Sequence, residues 1–111
     1  MPDQQHHLEL LAQMGGRRIA VIGDVMLDKF LTGNIDRLSA EAPIPIVDIV
    51  EETYQLGGAA NVANNLYALG DLPMLFSVVG DDENGERLRS LIEKNSKCEH
   101  FIFSDRSRCT T

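Results

Sequence analysis

Two adjacent glycines, two alanines and an asparagine, Gly57-Gly58-Ala59-Ala60-Asn61, make up the stretch with the most chemical potential in this sequence. Paired glycines let a backbone approach a ligand closely and turn through φ > 0 with no Cβ penalty. Ala59, Val62, Ala63, Leu66 and Leu69 then recur at three- and four-residue spacing, which is one apolar helical face. Asn61, Asn64 and Asn65 fall on the other side, and Gly70 stops the pattern. The pair is therefore expected at a helix N-terminus, where unpaired N–H groups and the positive dipole end favour oxygen-rich ligands. It is not a Walker loop, because no Gly-Lys-Ser/Thr follows, nor a dinucleotide fingerprint, because the third glycine is absent. Taken alone it is a helix-capping ligand loop of unspecified ligand, and a plain connecting loop is the simpler alternative.

Two carboxylates follow the first apolar run of the chain. Asp24 closes Ile19-Ala20-Val21-Ile22-Gly23 and reads as a turn or cap residue. Asp28 lies among apolar residues just past that strand end, where a carboxylate needs a partner or ligand hydroxyls to offset desolvation. Lys29 and Arg37 are candidate ion-pair partners, which is the structural alternative to a ligand role. Asp81-Asp82-Glu83 reads as helix-capping chemistry rather than a metal site. Cys98 and Cys109 have no metal-type spacing and make no zinc set with His6, His7 and His100, so two reduced thiols are expected.

These residues need elements to hold them. A short helix is expected over 3–14, within an N-terminal segment 1–16 closed by Gly15-Gly16. The run ending at Gly23-Asp24 reads as a strand covered on both faces of a parallel sheet, whose ends are where α/β proteins place ligands. Residues 30–50, with a Gly33-Asn34 turn signal and Pro43 and Pro45, suggest a small antiparallel flap, and Glu51-Glu52 a solvated turn. Pro73 to Val79 is a second strand closed by Gly80, so strand, helix and strand form a parallel crossover unit. A helix to about Asn95 follows, with Leu88, Leu91 and Ile92 inward. Phe101-Ile102-Phe103 is a third strand, Asp105 to Arg108 a turn, and Cys109 to Thr111 the entry to another strand.

The 111 residues allow one small domain or part of a larger one, and 43% hydrophobic content supports a core with little margin. A net charge of −7 makes a nucleic-acid backbone an unsuitable partner. No apolar run approaches the roughly 20 residues of a membrane span. The N-terminus has neither a charged n-region nor an apolar h-region, so a cytoplasmic location is expected.

Gly57-Gly58, Asn61, Ala63, Gly70 and Gly80 together reproduce the spacing of the first signature of the ribokinase-like (PfkB) family of carbohydrate kinases, and the chain resembles that family from about Arg18 to Thr111. Gly23 with Asp28 resembles the family's sugar-binding start, and the flap resembles its β lid. Within the family, Gly23 to Asp28, Ser39 to Val47 and Gly57 to Ala63 are most similar to the branch acting on heptose 7-phosphate, with Ala40 standing where a proline is expected. The resemblance implies an α/β fold: the N-terminal part of a three-layer sandwich, incomplete over 1–111, with the β lid at 30–50. It implies an ATP- and Mg²⁺-dependent kinase for a sugar phosphate, of which this chain is the substrate-binding and lid portion. The Gly-Ala-Gly-Asp anion hole, catalytic aspartate and nucleotide pocket of the second signature are absent, so neither a catalytic residue nor tight ATP binding is expected here. By the same resemblance Asp28, Gly57, Gly58 and Asn61 bind the sugar, Lys29 and Arg37 are weaker candidates for its phosphate, and the lid forms a homodimer. Another sugar kinase of the family, or a non-catalytic sugar-binding module, are the alternatives.

Overall fold

The structure, a computed structural model, describes residues 3–111. Residues 1 and 2 of the expected N-terminal segment lie outside them. In chain order the elements are α1 (Gln4–Gln13), β1 (Arg18–Ile22), β2 (Val25–Leu38), β3 (Pro45–Gly58), α2 (Ala59–Ala68), β4 (Leu72–Gly80), α3 (Glu83–Asn95) and β5 (Glu99–Asp105). β1, β4 and β5 form a parallel sheet in the order β1-β4-β5, with Ile22, Phe76 and Phe101 in register across it. β2 and β3 form a separate antiparallel ribbon.

The core follows from alternation along β4. Pro73, Leu75, Ser77 and Val79 are buried, and they share one face because strand side chains alternate. The core on that face is completed by Ala60 and Ala63 of α2, Leu88 and Ile92 of α3, Val25 and Cys98. Of the expected face of α2, Ala63 is buried and Ala59 packs against the core, but Val62 and Leu69 are about half exposed and Ala60 is buried instead. Two alanines let the helix lie close on β4, and Val62 is then rotated out by one helical step. The other sheet face is bare: Ile22 is 82% exposed and Phe103 62%, and Phe76 stacks on Phe101 with centroids 4.9 Å apart.

The helix ends behave as their residues require. Asp3 caps α1 by accepting from Gln5 N, although the whole helix, Leu8 and Leu11 included, remains exposed. Gly70 has φ +94° and its N–H donates to Tyr67 O, the left-handed stop expected after α2. Asp82 caps α3 by accepting from Gly85 N at 2.7 Å.

The ribbon runs from Val25↔Gly58 to Leu38↔Pro45, so it is longer than the flap expected over 30–50. Glu51 and Glu52 lie within β3 rather than in a turn, because their exposed side chains suit a ribbon wet on both faces. Gly33-Asn34 marks a register shift after Thr32 rather than a reversal. A Cβ on Gly33 would meet the Asp48 carbonyl, so the close strand approach at the bulge explains the glycine. The reversal comes later, where Ser39 N donates to Ile44 O at 2.8 Å. The projecting ribbon raises the radius of gyration to 19.3 Å, against about 13 Å for a compact domain of this length.

Candidate functional site

The foot of the ribbon is fixed at the C-terminal end of β1 by four backbone donors. Gly23 N donates to Phe76 O at 3.2 Å, and Val25 N to the buried Ser77 Oγ at 3.2 Å. Ala59 N, the first of α2, donates to Asp24 O at 2.9 Å, and Leu27 N donates to Thr111 O at 2.8 Å. The turn 23–24, the two ribbon ends, the first turn of α2 and the chain end therefore meet at one sheet edge. That edge is where open α/β sheets bind ligands.

Ribbon alternation decides what faces the ligand side. Val25, Leu27 and Leu56 pack into or against the core, so Met26, Asp28, Gln55 and Gly57 share the opposite face. Asp28 lies directly over Gly57: a Cβ there would land on Oδ2 and 2.9 Å from Cγ. Gly57 has no positive φ, so it is needed for space alone. Gly58 is needed for conformation, with φ +59° and ψ −134°, and a Cβ on it would strike the Asp24 carbonyl. Asn61 is exposed in the first turn of α2, three residues on. The structure thus joins Asp28 to Gly57 directly, while Gly58 and Asn61 are linked to them only along the chain, at the start of α2.

Lys29 and Arg37 do not join this group. Lys29 alternates onto the other ribbon face, where its ammonium meets Glu52 at 3.1 Å and is 5.8 Å from the Tyr54 ring centroid. Its hydrogen bond to Glu52 raises its pKa above the ordinary 10.5, which keeps it charged and engaged there. Arg37 sits near the outer end of the ribbon, opposite Ile46, and is 3.8 Å from Asp48.

A cation that does reach the strand ends beside Asp24 is Arg108, which pairs with it at 3.1 Å. Together with Ile22, Phe76, Val78 and Phe103 it lines an open cavity of about 280 Å³. Read locally, Arg108 belongs to a turn; its pairing spans 84 positions, and no local pattern signals it.

Below it, Thr110 locks the chain end to α3. Its hydroxyl accepts from Gly80 N at 2.9 Å and donates to Asp82 Oδ1 at 2.6 Å, and its N–H donates to Asp82 Oδ2 at 2.9 Å. These bonds, with that from Gly85 N, hold the Asp82 carboxyl below its ordinary pKa of 3.8. Among the described residues, no group of three or more His, Cys, Asp or Glu could hold a metal ion. No helix among them is long and apolar enough to cross a membrane.

The family follows from comparison with known proteins. The profile described as pfkB family carbohydrate kinase matches residues 17–99. This chain belongs to the pfkB family of carbohydrate kinases. All 111 residues align at 42% identity with 23% of the bifunctional protein HldE of Caulobacter vibrioides (strain ATCC 19089 / CIP 103742 / CB 15). Over 96 residues, 86% of the chain, it is 44% identical to 20% of the bifunctional protein HldE of Caulobacter sp. (strain K31). The chain thus spans about a fifth of the length of these relatives. Among solved structures it is similar to a carbohydrate kinase from Agrobacterium tumefaciens, at 25% identity and a TM-score of 0.62, covering 85% of this chain and 29% of that one. It is also similar to the fructokinase of Halothermothrix orenii, at 28% identity and a TM-score of 0.56, covering 85% and 31%. The α/β architecture with a parallel sheet is therefore that of the ribokinase-like carbohydrate kinases.

Proposed function

We propose that this pfkB-family chain is the sugar-binding and lid portion of an ATP-dependent kinase acting on a sugar phosphate, heptose 7-phosphate. The observation that carries the reading is Asp28 lying over Gly57 at the foot of the ribbon. Among the described residues the five ion pairs leave Asp28 out, so its exposed oxygens are available as acceptors. A carboxylate accepts from sugar hydroxyls, and the Asn61 amide offers both a donor and an acceptor face beside it. Arg108 takes the phosphate role in this reading, because its exposed pair with Asp24 is weak and readily exchanged for a charge-assisted bond to phosphate. Heptose 7-phosphate is favoured by the resemblance of Gly23 to Asp28, Ser39 to Val47 and Gly57 to Ala63.

In this reading tight binding of Mg-ATP is not expected of this chain, because the Gly-Ala-Gly-Asp signature that would carry it does not occur in the sequence. The leading N–H of α2 is already taken by Asp24 O. No transfer step is therefore assigned to this chain; in-line transfer needs the γ-phosphoryl group, its metal and the acceptor hydroxyl held together. The ribbon would serve as lid and as the contact with a second copy. A cytoplasmic location accompanies this reading, with Cys98 and Cys109 as free thiols.

The test is calorimetric titration of the chain with heptose 7-phosphate. Asp28→Asn should weaken binding about 10- to 100-fold, the loss of a hydrogen bond to a charged group worth about 1.5–3 kcal/mol. Unchanged affinity in that variant would refute the site.

A further inference from the structure

We propose that Arg87 and Tyr54 form a clasp that sets the angle of the lid and so positions Asp28; this rests on the reading of Asp28 as a sugar ligand. The guanidinium carbon of Arg87 on α3 lies 4.4 Å from the Tyr54 ring centroid on β3. Lys29 approaches the same ring, and Glu52 ties Lys29 to β3 at 3.1 Å. Arg87 is steadied on its own helix by Glu83, four residues earlier, at 3.0 Å.

The position of the clasp gives it leverage. Tyr54 pairs with Lys29, and the next pair along the ladder is Gln55 with Asp28. At about 3.4 Å per residue, the ring is only some 10 Å along the strand from Gly57. α3 is in turn fixed to the sheet end, since Asp82 at its N-cap holds Gly85 N and Thr110, and Thr110 holds Gly80 N. A continuous path therefore runs from the sheet through α3, Arg87 and Tyr54 to the ribbon segment that carries Asp28. A two-stranded ribbon is marginally stable by itself. A planar cation on an aromatic face resists rotation while costing little to shift, which suits a lid that must stay aligned and still move.

Removing either partner should leave the sheet intact and loosen the foot of the ribbon. In the 111-residue chain, Tyr54→Leu and Arg87→Met should each weaken heptose 7-phosphate binding about two- to fivefold, the range of an exposed cation–π contact. The double variant should be no weaker than either single one, and Tyr54→Phe, which keeps the ring, should restore the affinity. Amide hydrogen exchange should quicken at Val25–Lys29 and Thr53–Gly57 and not in β4. A merely structural contact would not show this rescue together with non-additive affinities. Losses that add, Tyr54→Phe as harmful as Tyr54→Leu, or unchanged exchange at the ribbon foot in Arg87→Met would each overturn the clasp. A wild-type chain that binds no sugar would instead overturn the sugar site and the positioning role with it. Sugar binding lost in Asp28→Asn but indifferent to Arg87→Met would overturn the clasp alone.

Discussion

Gly57 and Gly58 are neighbours with identical side chains, yet replacing them should damage different properties. An alanine at Gly58 must adopt φ +59° and ψ −134°, and its Cβ would press on the Asp24 carbonyl. That backbone region costs a non-glycine residue about 1–3 kcal/mol. The carbonyl cannot move aside without breaking its bond from Ala59 N, which anchors α2. Even after a gain of about 0.4–1 kcal/mol from a less flexible unfolded chain, Gly58→Ala should lose about 2 kcal/mol or more. At about 4–8 °C per kcal/mol for a domain near this size, melting should fall by roughly 10 °C or more.

The nearest atoms that Gly57→Ala meets are those of the Asp28 carboxylate, which can swing about χ1. An off-rotamer side chain costs about 0.5–1.5 kcal/mol. The unfolded-chain gain offsets most of that, so stability should stay within about 1 kcal/mol of wild type. If Asp28 is a sugar ligand as proposed, the displaced carboxylate would no longer meet the sugar, and affinity should fall about 10-fold or more. Urea unfolding at constant m and calorimetric titration of both variants separate the two effects. A Gly57→Ala chain as unstable as Gly58→Ala, or one that binds sugar normally, would refute the division of roles.

Three further outcomes are expected. Thr110→Val leaves Gly80 N without its acceptor and should cost about 1–3 kcal/mol in urea unfolding at neutral pH. The same variant tests the titration of Asp82: with its folded pKa below 3.8, this group stabilises the fold above about pH 4, and that stability is lost as pH falls through the depressed value. Thr110→Val should therefore flatten the acid limb below about pH 4, and an unchanged limb would show that Thr110 does not set the shift. On the ribbon, Ile35, Val47 and Ile49 share one face and are each about half exposed. The chain should sediment as a dimer and Ile49→Lys as a monomer; a monomeric wild type at high concentration would refute lid pairing.

The parallel sheet and both crossover helices are legible in the sequence because their signals are local. Leu88 and Ile92 repeat at helical spacing, Leu72–Gly80 is a continuous apolar run, and Gly70 closes its helix. The ribbon is legible only in part. With both faces wet it lacks a clean apolar alternation, so Glu51 and Glu52 imitate a turn and Gly33 imitates a reversal where it makes a bulge. In the site, glycine spacing and family resemblance point to Asp28 and Gly57, and their contact is diagonal across one ladder. Arg108 and Thr110 are illegible for the opposite reason: their partners Asp24, Asp82 and Gly80 are brought to them by the crossovers, and no spacing encodes that meeting.

The two faces of the sheet bear differently on the proposed sugar site. The packed face, through Val25, Ser77 and the first N–H of α2, fixes the foot of the ribbon and so places Asp28. The bare face carries Ile22, Phe76, Phe101 and Phe103, and its upper end is the cavity beside Arg108 and Asp24. Parallel sheets are ordinarily covered on both faces, so a layer over the bare one would also wall the cavity at the strand ends. Such a wall would exclude water, strengthen every polar contact to the sugar and bring further groups towards its hydroxyls. With that side open, the proposed sugar affinity would rest on the few contacts at the ribbon foot. The lid angle then matters more than it would in an enclosed site, which is why Asp28, Gly57 and the Arg87–Tyr54 contact should dominate binding to this chain.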